Sequence, residues 1–115
     1  MRKTARWIAG ITVIAVVLAA MMVLSAAAKA DAAAAQATYK AKCAMCHGPD
    51  GKGNTATGKV MKVKDFSSEE VLKMSDVDLT SVIGSGKGKM PPYKTLSADQ
   101  VKDLVEYIRA FGKKK

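Results

Sequence analysis

Apolar residues are unevenly distributed along the chain. From Trp7 to Ala28 no side chain is charged, whereas beyond Asp31 short apolar stretches alternate with polar ones and are broken by glycine and proline. The first run reads as a single apolar helix. Over Gln36 to Cys46 the spacing predicts a short helix, with Tyr39 four residues before Cys43 and therefore on the same face. Gly48, Pro49, Gly51, Gly53 and Gly58 then predict a loop from Gly48 to Gly58. Two short helices follow, each opened by a serine three residues ahead of an acid, Ser67 before Glu70 and Ser75 before Asp78, and they are expected to end near Met74 and Ile83. Gly84, Gly86 and Gly88 predict another loop, and Pro91-Pro92 prevents an early return to helix. The last helix has the clearest pattern. Ser97 and Gln100 form a capping box, Val101, Leu104, Val105, Ile108 and Phe111 recur at helical spacing, and Gly112 supplies a stop. No segment alternates as a strand does and no internal repeat is present, so the fold class is all-α.

Composition adds a constraint. The chain of 115 residues has room for one small domain, and from residue 31 onward its only aromatic residues are Tyr39, Phe66, Tyr93, Tyr107 and Phe111. Domains this small usually need a staple to offset the conformational entropy of folding, and two cysteines allow at most one internal disulfide. A large bound cofactor is therefore expected to fill the centre. The beginning of the chain reads as an export signal: Arg2, Lys3 and Arg6 precede the apolar run, which closes on Ala28-Lys29-Ala30 before Asp31. Cleavage after Ala30 is the preferred reading. The uncharged run is also long enough to serve, uncleaved, as a membrane anchor through residues 7–28. Either way the positive-inside rule leaves the basic end in the cytoplasm and sends the rest outward, to the periplasm or the outer face of the inner membrane. The expected organisation is a signal or anchor at 1–30, an alanine-rich leader at 31–35, a folded domain at 36–112 and a basic tail at 113–115.

The chemistry is concentrated in Cys43-Ala44-Met45-Cys46-His47, a C-x-x-C-H sequence. Two thiols three residues apart on one helical turn can each reach one vinyl group of a porphyrin and form two thioethers, and the adjacent histidine then lies under the iron as proximal ligand. A neighbouring carbonyl, for which Pro49 is well placed, would orient the other ring nitrogen. Three other readings of the cysteines are weaker. A redox-active dithiol explains neither the histidine nor the absence of a βαβ pattern. A structural zinc site wants four protein ligands, and the whole chain has two cysteines and one histidine. A disulfide between Cys43 and Cys46 closes too small a loop to constrain much.

A six-coordinate iron needs a second axial ligand, and the soft sulfur of methionine complements histidine in electron carriers. After Asp31 the candidates are Met45, Met61, Met74 and Met90. Met45 sits inside the attachment turn and cannot reach the opposite face. Met74 is expected within an amphipathic helix, where methionine is normally core filler. Met61 has basic neighbours and no rigid turn near it. Met90 follows a glycine loop and precedes two prolines, whose fixed φ holds the chain extended and the sulfur in one orientation.

These residues together resemble a class I, small single-haem bacterial cytochrome c. The resemblance is carried by Tyr39 with Cys43-Ala44-Met45-Cys46-His47-Gly48-Pro49, by Met90-Pro91-Pro92-Tyr93 and by Val105-Glu106-Tyr107-Ile108-Arg109, and it spans roughly residues 36 to 111 in the family's order. It implies a cytochrome c-like fold, with short helices wrapped around one covalently bound haem c. Its first and last helices would cross through Tyr39 and the Leu104, Tyr107 and Ile108 face. It also implies cofactor attachment through Cys43 and Cys46, and iron held between His47 and Met90. The stretch from Gly51 to Lys64 departs from the family's patterns and leaves the haem propionate contacts unassigned.

The function expected is that of an electron carrier and not an enzyme. A haem enzyme subunit or a gas sensor with a displaceable sixth ligand is the alternative. Met90 argues against it, as does the lack of a second histidine for acid and base work. Net charge of +9 alone would suggest nucleic acid, but no recognition motif accompanies it. Counting from Asp31, 15 Lys+Arg face 10 acids. Lys40 and Lys42 flank the attachment turn, and Lys87, Lys89 and Lys94 flank Met90, so redox partners with acidic docking surfaces are expected.

Overall fold

The computed structural model describes residues 2–113, except for the side chains of residues 2–6, 9, 26–28 and 30. Lys114 and Lys115 of the expected basic tail, and the side chains of Arg2, Lys3, Arg6, Ala28 and Ala30 in the expected leader, lie outside the described residues.

The chain divides into two compact units, residues 1–31 and 32–115. The described residues of the first lie within α1, Arg2–Lys42. Alanine is the best helix former, and neither glycine nor proline interrupts the sequence between Ile11 and His47, so the helix expected to begin at Gln36 has no break there. In the first unit Trp7, Ile11, Val16, Met22 and Leu24 are all exposed. The two hydroxyls within the apolar run are satisfied inside the helix, Thr12 donating to the Ile8 carbonyl at 3.2 Å and Ser25 to the Met21 carbonyl at 3.0 Å. Among the described residues no helix is long and apolar enough to cross a membrane. The uncharged run from Trp7 to Ala28 includes positions 9 and 26–28, whose side chains are not described.

The second unit contains the end of α1, then α2 (Ala44–His47), α3 (Ala56–Met61), α4 (Glu69–Leu72), α5 (Asp76–Ser85) and α6 (Ala98–Gly112). Its core is one cluster formed by Tyr39, Phe66, Val71, Leu79, Ile83, Val101, Leu104, Val105 and Ile108. Packing of α5 against α6 buries Leu79 and Ile83 against the Val101, Leu104, Val105 and Ile108 stripe. The end of α1 joins α6 through aromatic rings, Tyr39 lying 5.1 Å from Tyr107 and 5.4 Å from Phe111 between centroids. The resemblance implied contact through Tyr39 with the Leu104, Tyr107 and Ile108 face; Tyr107 makes it, joined by Phe111.

The capping boxes at Ser75 with Asp78 and Ser97 with Gln100 are both present. Four expectations change. A helix, α3, begins inside the expected loop because the Thr55 hydroxyl accepts the Gly58 N–H at 2.8 Å and caps it. Ser68, not Ser67, caps α4, because the Ser67 N–H and hydroxyl both donate to Asp65 at 2.7 Å. The α5 helix runs through Gly84 to Ser85 and stops only at Gly86, where φ is 74°. Gly112 belongs to α6 itself. A Cβ there would come within 2.5 Å of Leu72 Cδ2, so the glycine permits close packing and does not turn the chain.

Candidate functional site: the attachment turn and the methionine strap

Cys43 sits at the break between α1 and α2, where the backbone tightens: its N–H donates to the Tyr39 carbonyl, and its own carbonyl accepts the N–H of His47 at 2.9 Å. Cys46 lies within α2 and His47 closes it. Both cysteines are free and half-buried. The turn is secured from below. The Tyr39 hydroxyl donates to the Gly48 carbonyl at 2.7 Å, the Gly53 N–H donates to the His47 carbonyl at 2.8 Å, and the Thr55 hydroxyl donates to the Cys46 carbonyl at 3.0 Å. Gly58 has to be glycine here, because a Cβ would overlap the carbonyl oxygens of Cys46 and Gly53.

The His47 ring stacks on Phe66 at 4.6 Å with the planes 19° apart. Burial lowers the pKa of the imidazole and so favours its neutral, ligating form. Nδ1 is buried and has no hydrogen-bond partner. The expected bond from this ring to the Pro49 carbonyl is therefore not formed. The loop after Gly48 turns back at once, with the Gly51 N–H on the Gly48 carbonyl, and the imidazole packs on the Phe66 ring instead. Burial raises the Cys43 thiol above its usual range, with Cys46 adding to the effect and Lys42 opposing it. An attacking dithiol needs the reverse shift. Among the described residues no group of three or more His, Cys, Asp and Glu side chains could hold a metal ion.

Met90 lies on a strap that follows α5. It forms an isolated bridge with Lys87, each N–H donating to the other's carbonyl, and its half-buried side chain packs against the same core as Cys43. Three residues further on, the Tyr93 hydroxyl donates to the Lys42 carbonyl at 2.9 Å and links the strap to the residue just before Cys43. The sequence left Tyr93 open between a hydrogen bond near the cofactor and a packed lid residue, and nothing in it named Lys42 as the partner. The other methionines lie elsewhere: Met45 and Met61 are exposed, and Met74 lies beyond the end of α4, outside any helix, packed against the core.

Sequence reasoning named Arg109 only as part of the last helix and gave it no partner. Its guanidinium reaches from α6 to Asp76, with Nε and Nη2 at 2.9 and 2.8 Å from one carboxylate oxygen, and it also donates to the Val71 and Met74 carbonyls. The only hint was an arginine at the end of an amphipathic stripe. Lys40, Lys42, Lys87, Lys89 and Lys94 are all exposed. Lys87 stands close enough to Glu70 and Asp78 to help hold both carboxyls below their usual range, after the dominant hydrogen bonds from Lys64 and Ser75 respectively.

Two free thiols and an imidazole on one turn, within an all-α domain that also brings a methionine strap to that turn, are the donor set of a haem protein of the c type. The residues present fit this group. The family model described as "Cytochrome C oxidase, cbb3-type, subunit III" matches residues 30–108. Cytochrome c6 of Rippkaea orientalis (strain PCC 8801 / RF-1) is 33% identical over 92 residues, which cover 79% of this chain and 80% of the relative. The solved structure of the KustC0563 c-type cytochrome superposes with a TM-score of 0.60 at 32% identity, over 66% of this chain and 94% of the other. The chain belongs to this family of small c-type cytochromes. Its cofactor is one covalently attached haem c with its iron, and it carries single electrons without making or breaking substrate bonds. The alternative of a haem enzyme subunit or gas sensor is not favoured.

Proposed function

We propose that Cys43 and Cys46 would form the two thioethers and that His47 and Met90 would hold the iron. The observation that carries this reading is that two free, half-buried thiols and an imidazole packed on Phe66 share a single turn. When bound, the haem supplies a reversible one-electron iron couple. The residues of the chain set its conditions. Burial favours the neutral form of the His47 imidazole, Phe66 packs on its face, and a thioether sulfur from Met90 would favour the ferrous state and raise the potential. The turn that carries His47 is held by hydrogen bonds from Tyr39, Gly53 and Thr55, and the strap by its bonds to α5 and to Lys42, a frame that suits repeated exchange with a partner.

The test is covalent retention. Protein made with a haem-ligation system should exceed the polypeptide mass by one haem after acid-acetone extraction, and loss of haem on extraction refutes the attachment. Met90→Ala should abolish the sulfur-to-iron charge-transfer band of the ferric form. If Met61→Ala does so and Met90→Ala does not, the ligand assignment is wrong.

The same reading extends to place and partner. The chain works outside the inner membrane, released by cleavage after Ala30 or tethered through residues 7–28, and N-terminal sequencing of native protein near Asp31 separates the two. Acidic redox proteins dock on the exposed lysines that flank the turn and the strap. Because Glu70 and Asp78 stand near Lys87, the steering charge of the strap rests more on Lys89 and Lys94.

A further inference from the structure

The strap that carries Met90 is held unequally on its two sides. Toward α5 it is tied through its backbone: the Tyr93 N–H donates to the Ile83 carbonyl at 3.0 Å, and Gly86 lies so close that a Cβ there would come within 2.6 Å of the Met90 carbonyl oxygen and 2.9 Å of the Pro92 nitrogen. Toward the attachment turn the backbone offers little, since Pro91 and Pro92 have no N–H to give. Among the described residues the hydrogen bond that joins residues 86–96 to residues 32–50 is the one from the Tyr93 hydroxyl to the Lys42 carbonyl. It closes a chain separation of 51 residues, and its acceptor belongs to the residue next to Cys43.

We infer that Tyr93 is a positioning residue: its hydroxyl latches the Met90 strap to the attachment turn and thereby sets how readily an outside ligand displaces the methionine. The inference rests on Met90 as the axial ligand. A thioether bond to ferric iron is weak, so competition from an added ligand is governed by the fraction of molecules in which the strap has opened. A bond made only in the closed state lowers that fraction. Phenylalanine keeps the half-buried ring and its packing against the core while removing the latch. Opening should then become about fivefold more frequent, the equivalent of about 1 kcal/mol for one hydrogen bond exchanged with water.

The experiment uses the full, haem-loaded chain. Ferric wild type, Tyr93→Phe, Met90→Ala and, as a control, Tyr107→Phe are titrated with imidazole while the sulfur-to-iron charge-transfer band is followed. Tyr107 is also half-buried, but its ring packs on Tyr39 and Phe111, away from the strap hydrogen bond. Tyr93→Phe should keep the band without added ligand and bind imidazole about fivefold more tightly, with Tyr107→Phe within about twofold of wild type. Unchanged imidazole affinity in Tyr93→Phe, with the band abolished in Met90→Ala, overturns the latch and leaves the ligation standing. An equal gain in both tyrosine variants assigns the effect to general loosening and also overturns it. A band that survives in Met90→Ala removes the ligation itself and the latch with it.

Discussion

Tyr39 joins the attachment turn to the core, and removing its hydroxyl tests that joint with little other disturbance. The side chain is 0% exposed, and its hydroxyl donates to the Gly48 carbonyl at 2.7 Å. Tyr39→Phe keeps the ring contacts with Phe66, Tyr107 and Phe111 and deletes the bond. The Gly48 carbonyl would not be orphaned, because the Gly51 N–H also donates to it, at 3.3 Å. The expected loss is therefore that of one buried hydrogen bond, about 1 kcal/mol, and not the larger penalty of an abandoned acceptor. In a domain of this size that corresponds to roughly 4–8 °C in Tm. Guanidinium unfolding of the haem-loaded proteins should show a lower midpoint at an unchanged slope. The pH dependence supplies a second check. Burial first, then Cys43, Tyr107 and Asp50, raise the Tyr39 pKa well above the ordinary tyrosine value. The folded state therefore keeps a proton that the unfolded chain releases. The contribution is fully present below a pH of about 10 and is lost as pH rises from there through the folded value. The stability gap between wild type and Tyr39→Phe should narrow above that pH. Equal midpoints at neutral pH, or a gap that stays constant in alkali, would refute the reasoning.

Two further outcomes concern the frame around the site. Arg109→Met should cost about 1–3 kcal/mol in the same unfolding assay, and Arg109→Lys should recover little of it, since one ammonium cannot serve Asp76 and the Val71 and Met74 carbonyls together. Substitution of two glycines should act in opposite directions. Gly58→Ala should sharply lower the recovery of haem-bearing protein because its Cβ overlaps the Cys46 carbonyl, whereas Gly84→Ala, in open space within α5, should stabilise by about 0.5–1 kcal/mol.

Much of this protein was legible along the chain because the determining interactions are local. The capping boxes at Ser75 and Ser97 need only residues three apart, the stripe of α6 needs only helical periodicity, and the Cys43 to His47 turn is contiguous. The limits of such reading appear where two local solutions compete. Ser67 precedes Glu70 at capping-box spacing whereas Ser68 is followed at that spacing by Val71, and the choice fell to Asp65, which captured Ser67 from outside the helix. Gly58 and Gly112 read as breakers because glycine usually is one, yet each sits in a helix where another segment approaches too closely for a Cβ.

The sequence by itself determined which groups are present for chemistry: two thiols and an imidazole on one turn, and a methionine braced by two prolines. Only the tertiary structure decided how they are held. The partners that matter are distant in sequence: Tyr93 for the Lys42 carbonyl, Arg109 for Asp76, and Phe66 for the face of His47. No periodicity encodes such pairings. A side chain finds a distant carbonyl only after the helices have buried their stripes and fixed the geometry between them.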